Sequence, residues 1–249
     1  MTSEAFSRTE LLLGTQGLQR LQSARVLMAG IGGVGSYAAE ALARAGVGHI
    51  TLIDADTVHS TNLNRQLLAL SSTIGTPKVE VMAERIRQIN PEASITPRQL
   101  LLTPENCLEQ LSEGFDLVLD AIDTFSAKLA LLTHCVQQQI PVISSMGAAG
   151  KLAPDQVKIA DIADSHGCRL ARKIRKELRK SGIGSGIPVV FSTEACGAVT
   201  AAETRSEDND DTRRPLGSIS YLPGIFGLFM AGEAIRRLTL LPSDQGVNP

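Results

Sequence analysis

From residue 25 onward, short runs of apolar, β-branched residues alternate with longer stretches whose apolar positions recur every three or four residues. The β-rich runs are RVLMAG (25–30), HITLID (49–54), ASITPRQL (93–100), FDLVLD (115–120) and PVISSM (141–146). Helical spacing fills 34–45, 77–89 and 126–139, and a proline opens the second of these, a residue suited to a helix start. This alternation predicts an α/β fold, a doubly wound, mostly parallel, Rossmann-like sheet with helices on both faces. Right-handed crossovers then carry the carboxyl ends of the first, second and fourth strands to one edge, where such sheets bind ligands.

Beyond residue 150 the regularity weakens, and the pattern predicts a strand at 155–162, a basic helix at 168–180 and a strand at 187–194. The segment 203–214 (ETRSEDNDDTRR) has too little apolar surface to order itself and is expected to be a mobile loop. The longest apolar run, 222–235 (LPGIFGLFMAGEAI), contains a proline, glycines and Glu233 and is too short for a bilayer span, so it reads as a buried helix. The length of 249 residues and 43% hydrophobic content suit one domain over 1–249, with no membrane segment expected.

A net charge of −2 excludes a protein that holds nucleic acid by its overall charge, so any such contact needs a local basic patch. The first ten residues, MTSEAFSRTE, lack the apolar run of an export signal. The four cysteines, Cys107, Cys135, Cys168 and Cys196, form no C-x-x-C pair, and the histidines are scattered, which points away from structural zinc and towards a reducing, cytoplasmic setting.

The chemistry begins at VLMAGIGGVGS, where Gly30, Gly32 and Gly35 take G-x-G-x-x-G spacing between a strand and a helix. Such glycines let the backbone turn sharply and approach a phosphate, while the helix start offers unpaired N–H donors. Asp54, closing the second strand, is placed to accept from ribose hydroxyls. Taken alone these features favour NAD. The next segment adds Asp56, Asn62, Asn64, Arg65, Gln66 and Lys78, more polar and cationic groups than a nicotinamide site needs but suited to a triphosphate. Asp120 and Asp123, in LVLDAIDT, close the fourth strand on the same edge, with Asp123 placed to hold magnesium.

In order and spacing these motifs (GIGGVGS, D-x-D, N-x-N-R-Q, the lysine of TPK, D-x-x-D) resemble the ubiquitin-activating-like adenylyltransferases across 8–145. The resemblance implies that Gly33 and its neighbours border the phosphates of ATP, that Asp54 holds ribose, and that Asn62 and Arg65 bind the triphosphate. It further implies that Lys78 neutralises the triphosphate, that Asp123 binds Mg2+, and that Arg8 reaches into the partner's site of a homodimer. The stretches EALARAGVGHITLID, VEVMAERIRQINPEA, LARKIRKELRK and GSISYLPGIFGLFMAGEAI resemble in particular the tRNA threonylcarbamoyladenosine dehydratases. That branch implies ATP-dependent adenylation of a tRNA-borne carboxylate followed by cyclisation, with release of AMP and pyrophosphate. The run 195–214 does not fit the family pattern.

Outside the ATP motifs, Arg169, Arg172, Lys173, Arg175, Lys176, Arg179 and Lys180 surround the apolar stripe of Leu170, Ile174 and Leu178 on the basic helix as a cationic face, of which Arg169, Arg172, Lys173, Lys176 and Lys180 are candidates for tRNA phosphates. A solvated helix face is the plainer explanation of such a charge run. Competing readings are an adenylyltransferase for a ubiquitin-like sulfur-carrier protein, with a sulfur-transfer protein as partner, an NAD-dependent oxidoreductase, and a nucleotide-sensing module without turnover. The last of these has no use for both Arg65 and Asp123.

Overall fold

The structure, a computed structural model, describes residues 4–195 and 217–239. The expected loop at 203–214 and Cys196 lie outside the described residues. Strands β1 (Arg25–Ala29), β2 (His49–Ile53), β3 (Ser94–Arg98), β4 (Leu117–Asp120), β5 (Val142–Ser145), β6 (Val157–Asp161) and β7 (Pro188–Ser192) form one sheet in the order β3-β2-β1-β4-β5-β7-β6. All neighbours run parallel except β6, which pairs antiparallel with β7.

The inner strands are apolar at successive positions because both of their faces are covered. Val26 and Met28 of β1 point into one core and Leu27 and Ala29 into the other, and β4 divides Leu117 and Leu119 from Val118 in the same way. Helices α1 (Ser7–Ser23), α2 (Gly35–Ala45), α3 (Lys78–Ile89) and α7 (Leu222–Thr239) supply the first core. The second is built by α4 (Cys107–Leu111), α5 (Phe125–Gln137) and α6 (Arg169–Lys180). The apolar run at 222–235 is a helix buried along one face, with Leu228 and Phe229 left exposed, and its glycines serve close approach to α2: a Cβ on Gly227 would lie 2.3 Å from the Val34 carbonyl oxygen.

Two elements go beyond the sequence pattern. The chain ahead of β1 forms α1, interrupted at Gly14, whose φ of 70° and ψ of 167° are not helical. Short α4 packs against α5 with Cys107 and Leu111 buried. In α6 the buried stripe is Ala171, Ile174 and Leu178 rather than one including Leu170, which is half-buried. Full burial of side chains such as Ile174 and Leu178 stabilises the docking of α6 by about 1.5–3 kcal/mol each. Among the described residues no helix is long and apolar enough to cross a membrane.

Candidate functional site

The turn from β1 to α2 runs over the carboxyl edge of the sheet. Gly30 has φ of +88°, which L side chains rarely adopt, and a Cβ on Gly35 would meet the Gly30 carbonyl oxygen at 1.8 Å. Only glycine permits this closed loop, and it leaves the first turn of α2 facing the edge. Asp54, just past β2, braces it: Oδ2 accepts from the Ile31 N–H at 2.6 Å and Oδ1 from the Asp56 N–H at 2.9 Å. The carboxylate expected to hold ribose thus also ties the glycine turn to the second strand.

Next comes a 3-10 turn at Ser60–Asn62 that orders the N-x-N-R-Q segment. Asn62 is buried, with Oδ1 accepting from the His59 N–H at 2.9 Å, and its carbonyl accepts from Arg65 and Gln66. Arg65 crosses Gly33, whose added Cβ would come within 3.4 Å of Arg65 Cγ, and its guanidinium donates to the Thr61 carbonyl at 2.9 Å and Asn64 Oδ1 at 3.0 Å. Asn64 in turn donates to the Ser218 carbonyl at 2.9 Å, fastening residues 217–221 beside the edge.

Gln66 is 6% exposed, and its Oε1 is the one buried side-chain polar atom among the described residues without a hydrogen-bond partner. Its amide lies beside the loop, with Nε2 3.9 Å from a Cβ placed on Gly32. An unmet buried polar atom is costly, and a ligand seated on the loop would satisfy it. Lys78, at the start of α3, is 5% exposed and pairs through Nζ with Asp56 Oδ2 at 2.6 Å. The ammonium is therefore held at the edge by an exposed carboxylate that phosphate oxygens can displace.

The D-x-x-D pair separates. Asp123 is exposed and forms no hydrogen bond or ion pair among the described residues. Asp120 is fully buried: its Oδ2 accepts from Lys128 Nζ at 2.6 Å and Ser144 Oγ at 2.6 Å, and its Oδ1 from the Ile122 N–H at 3.1 Å. Lys128 and Ser144 escaped the sequence reading. The signal was a lone lysine in the otherwise apolar start of α5, FSAKLALL.

Arg8 lies exposed on α1 with no ion pair among the described residues. On α6, Arg169, Arg172, Lys173, Lys176 and Lys180 are exposed, Lys180 pairing with Glu177 at 2.8 Å. Arg175 turns inward to donate to the Ser165 carbonyl at 2.5 Å and leaves the cationic face. Burial, reinforced by the negative charge of Asp120, pushes the Cys107 thiol up to about 11 and the Cys135 thiol up to about 12. Cys168 is also buried, at the amino end of α6.

A parallel sheet with a glycine turn, a bracing acid, cations and an open carboxylate on its carboxyl edge defines an α/β nucleotide-binding protein of the kind that handles a polyphosphate. The particular group follows from comparison: the chain matches the ThiF family over residues 6–248 and belongs to that family. It is 43% identical over 238 residues to the tRNA threonylcarbamoyladenosine dehydratase of Bacillus subtilis (strain 168), a likeness that covers 94% of each chain. It is also similar to the crystal structure of E. coli tRNA N6-threonylcarbamoyladenosine dehydratase in complex with ATP, with a TM-score of 0.87, 38% identity and coverage of 99% of this chain and 100% of that one. Likeness to the molybdopterin-synthase adenylyltransferase of Salmonella typhimurium (strain LT2) is 39% over 153 residues, 61% of this chain and 60% of that protein.

Proposed function

We propose that this chain uses ATP to adenylate the carboxylate of threonylcarbamoyladenosine in tRNA and then closes that group on itself, a net loss of water. The observation that carries this reading is likeness along nearly the whole chain, 94% of both partners, to a tRNA threonylcarbamoyladenosine dehydratase. Likeness to the sulfur-carrier branch covers 61% of the chain.

In the first step a carboxylate oxygen of the substrate attacks the α-phosphorus of ATP, the bond to the bridging oxygen breaks, and pyrophosphate leaves. The glycine turn from Gly30 to Gly35, with Gly32 and Gly33 between, offers backbone donors to phosphate. Asn62, Arg65, Gln66 and Lys78 hold and neutralise the triphosphate, Asp54 takes ribose, and Asp56 releases Lys78 as phosphate arrives. In the second step the carbamoyl group attacks the acyl carbon, loses a proton, and AMP departs. Both reacting groups belong to one nucleoside, so effective molarity of roughly 10⁵ M or more replaces an enzyme nucleophile.

Mg2+ fits this site as an ion carried with the phosphates. No cluster of three or more His, Cys, Asp or Glu able to hold a metal occurs among the described residues, while Asp123 presents one exposed carboxylate on the connection whose Ala121 and Ile122 abut Gly30. Magnesium is commonly held by one or two carboxylates plus substrate phosphates, and it would supply neutralisation of pyrophosphate charge.

Cytoplasmic residence, a homodimer with Arg8 acting across the interface, and tRNA phosphates on Arg169, Arg172, Lys173, Lys176 and Lys180 complete the reading. Arg8, Leu11 and Leu12 share one exposed helical face, and the leucines are 87% and 88% exposed, a surface that a second copy would cover.

The test is pyrophosphate release from ATP in the presence of tRNA bearing threonylcarbamoyladenosine, compared with tRNA lacking it and with a carrier protein ending in Gly-Gly. Release with the modified tRNA alone, together with loss of water from the nucleoside by mass spectrometry, is expected. Release with the carrier protein instead would establish the sulfur-carrier reading and its sulfur-transfer partner. A chain with Cys107, Cys135, Cys168 and Cys196 replaced by alanine or serine is expected to keep cyclising, because two of the thiols are held protonated by burial. Adenylate formation without cyclisation in that folded variant would point to a thioester.

A further inference from the structure

We infer that the buried ion pair of Asp120 and Lys128 positions Asp123 for adenylate formation, which makes Asp120 and Lys128 positioning residues; this rests on the reading of Asp123 as the carboxylate that faces the phosphates and magnesium. Lys128 is among the largest fully buried side chains of the described residues. Its ammonium donates to Asp120 Oδ2 at 2.6 Å, the Ser145 carbonyl at 2.9 Å and Ser144 Oγ at 3.3 Å. Removing two opposite charges from water is costly, and a well-packed apolar pair often holds a fold as well or better. Stability alone therefore gives weak reason for this pair.

Its geometry supplies another reason. Asp120 is the last residue of β4 and Lys128 lies in the first turns of α5, so the pair bridges the two ends of the connection that carries Asp123. Asp120 also takes the Ile122 N–H through Oδ1 at 3.1 Å, gripping the residue just before Asp123. On the far side the Lys128 N–H donates to the Thr124 carbonyl at 3.0 Å, fixing the residue just after it. The Ala121 N–H donates to the Ala29 carbonyl at 2.8 Å, and the Ala121 carbonyl oxygen lies 2.8 Å from where a Gly30 Cβ would sit. The connection is thus clamped from beneath by the ion pair and pressed sideways against the glycine turn. Asp123 itself has no hydrogen-bond partner among the described residues, so its direction is set by its backbone and hence by this clamp. Groups that orient a metal-facing carboxylate from behind act on the site without touching the ligand.

The experiment compares the wild-type chain with Asp120→Asn plus Lys128→Met, which removes both charges together and leaves neither partner buried alone. Melting temperature, kcat, KM for tRNA and the magnesium concentration at half-maximal rate are measured. A folded double variant is expected to lose about 10–100-fold in kcat and to need more magnesium, with KM for tRNA unchanged. Wild-type kcat and magnesium dependence in a folded double variant would overturn the inference. If the double variant does not fold, Ser144→Ala decides, since it removes one bond to Asp120 and keeps the ion pair. It is expected to shift kcat and magnesium demand in the same direction by a smaller factor, and an unshifted magnesium curve overturns the proposal. Asp123→Ala in the same assay separates the levels. If it retains activity, the reading of Asp123 fails; if it is inactive while the double variant is normal, only the positioning role fails.

Discussion

Arg65, Lys78 and Asp123 are committed to the fold to different degrees. Arg65 uses part of its guanidinium on the Thr61 carbonyl and Asn64, Lys78 is paired with exposed Asp56, and Asp123 bonds to nothing among the described residues. Alanine at Asp123 is therefore expected to change stability by within about 0.5 kcal/mol, as for ordinary surface substitutions. Alanine at Arg65 or Lys78 is expected to cost somewhat more, and pyrophosphate exchange with ATP should be lost in all three. Wild-type exchange in any folded variant would remove that residue from the ATP site. A separate residue-scale effect belongs to Glu40, on the outer side of α2. Burial raises its carboxyl, but hydrogen bonds from Arg85 and Arg44 outweigh burial and hold it below the usual glutamate range. A depressed acid stabilises the fold at pH above its unfolded value and loses that contribution as pH falls through the folded value. Denaturant unfolding of Glu40→Gln beside the wild type should show a stability gap that is widest near pH 7 and narrows towards about pH 3. A gap independent of pH would mean the Arg85 and Arg44 bonds do not set the Glu40 proton.

At the scale of elements, α6 carries the clearest prediction. Its buried stripe of Ala171, Ile174 and Leu178 leaves Arg169, Arg172, Lys173 and Lys176 outward, whereas Arg175 is consumed by the Ser165 loop. Lys173→Glu with Lys176→Glu should weaken tRNA binding and make its salt dependence shallower, by about one unit of slope for each phosphate no longer neutralised. Unchanged affinity and slope would make the face simple solvation. The same helix explains what periodicity can and cannot give. A strong apolar stripe fixes which face is inside, so α6 and the inner strands were readable, but it does not say whether one arginine bends back to cap a loop. Helix α1 was harder because Leu11, Leu12 and Leu13 are consecutive and Gly14 breaks the period, so no single face stands out. At the edge, the glycine turn was legible because only glycine takes its backbone, and Asn62, Arg65 and Lys78 stood out as polar and cationic residues following the second strand. The pairing of Asp120 with Lys128 was not legible because a strand-end acid looks alike in sequence whether it meets solvent or a buried lysine, and Lys128 lies in a different element.

For the whole molecule, the question is whether the site is complete within one chain. Arg8 stands ahead of β1, exposed and without an ion pair among the described residues, on a helical face that also bears the exposed Leu11 and Leu12. Leucines left this open favour burial against another surface, and in a two-fold dimer the burial would occur on both copies at once. Helix α7, which packs beside α1, adds Leu228 and Phe229, 53% and 39% exposed, to the apolar area available. If Arg8 acts across that interface, each site combines Arg8 of one copy with Asp123 of the other. A heterodimer of an Arg8→Ala chain and an Asp123→Ala chain then contains one site lacking both groups and one intact site, the latter on the Arg8→Ala copy. Purified heterodimers carrying two different tags should therefore recover about half of wild-type turnover, while either variant alone as a homodimer is inactive. If Arg8 instead serves its own chain, both sites of the heterodimer lack one group, and turnover stays at the level of the single variants. Absence of rescue in heterodimers verified by native mass spectrometry would place Arg8 outside any shared site.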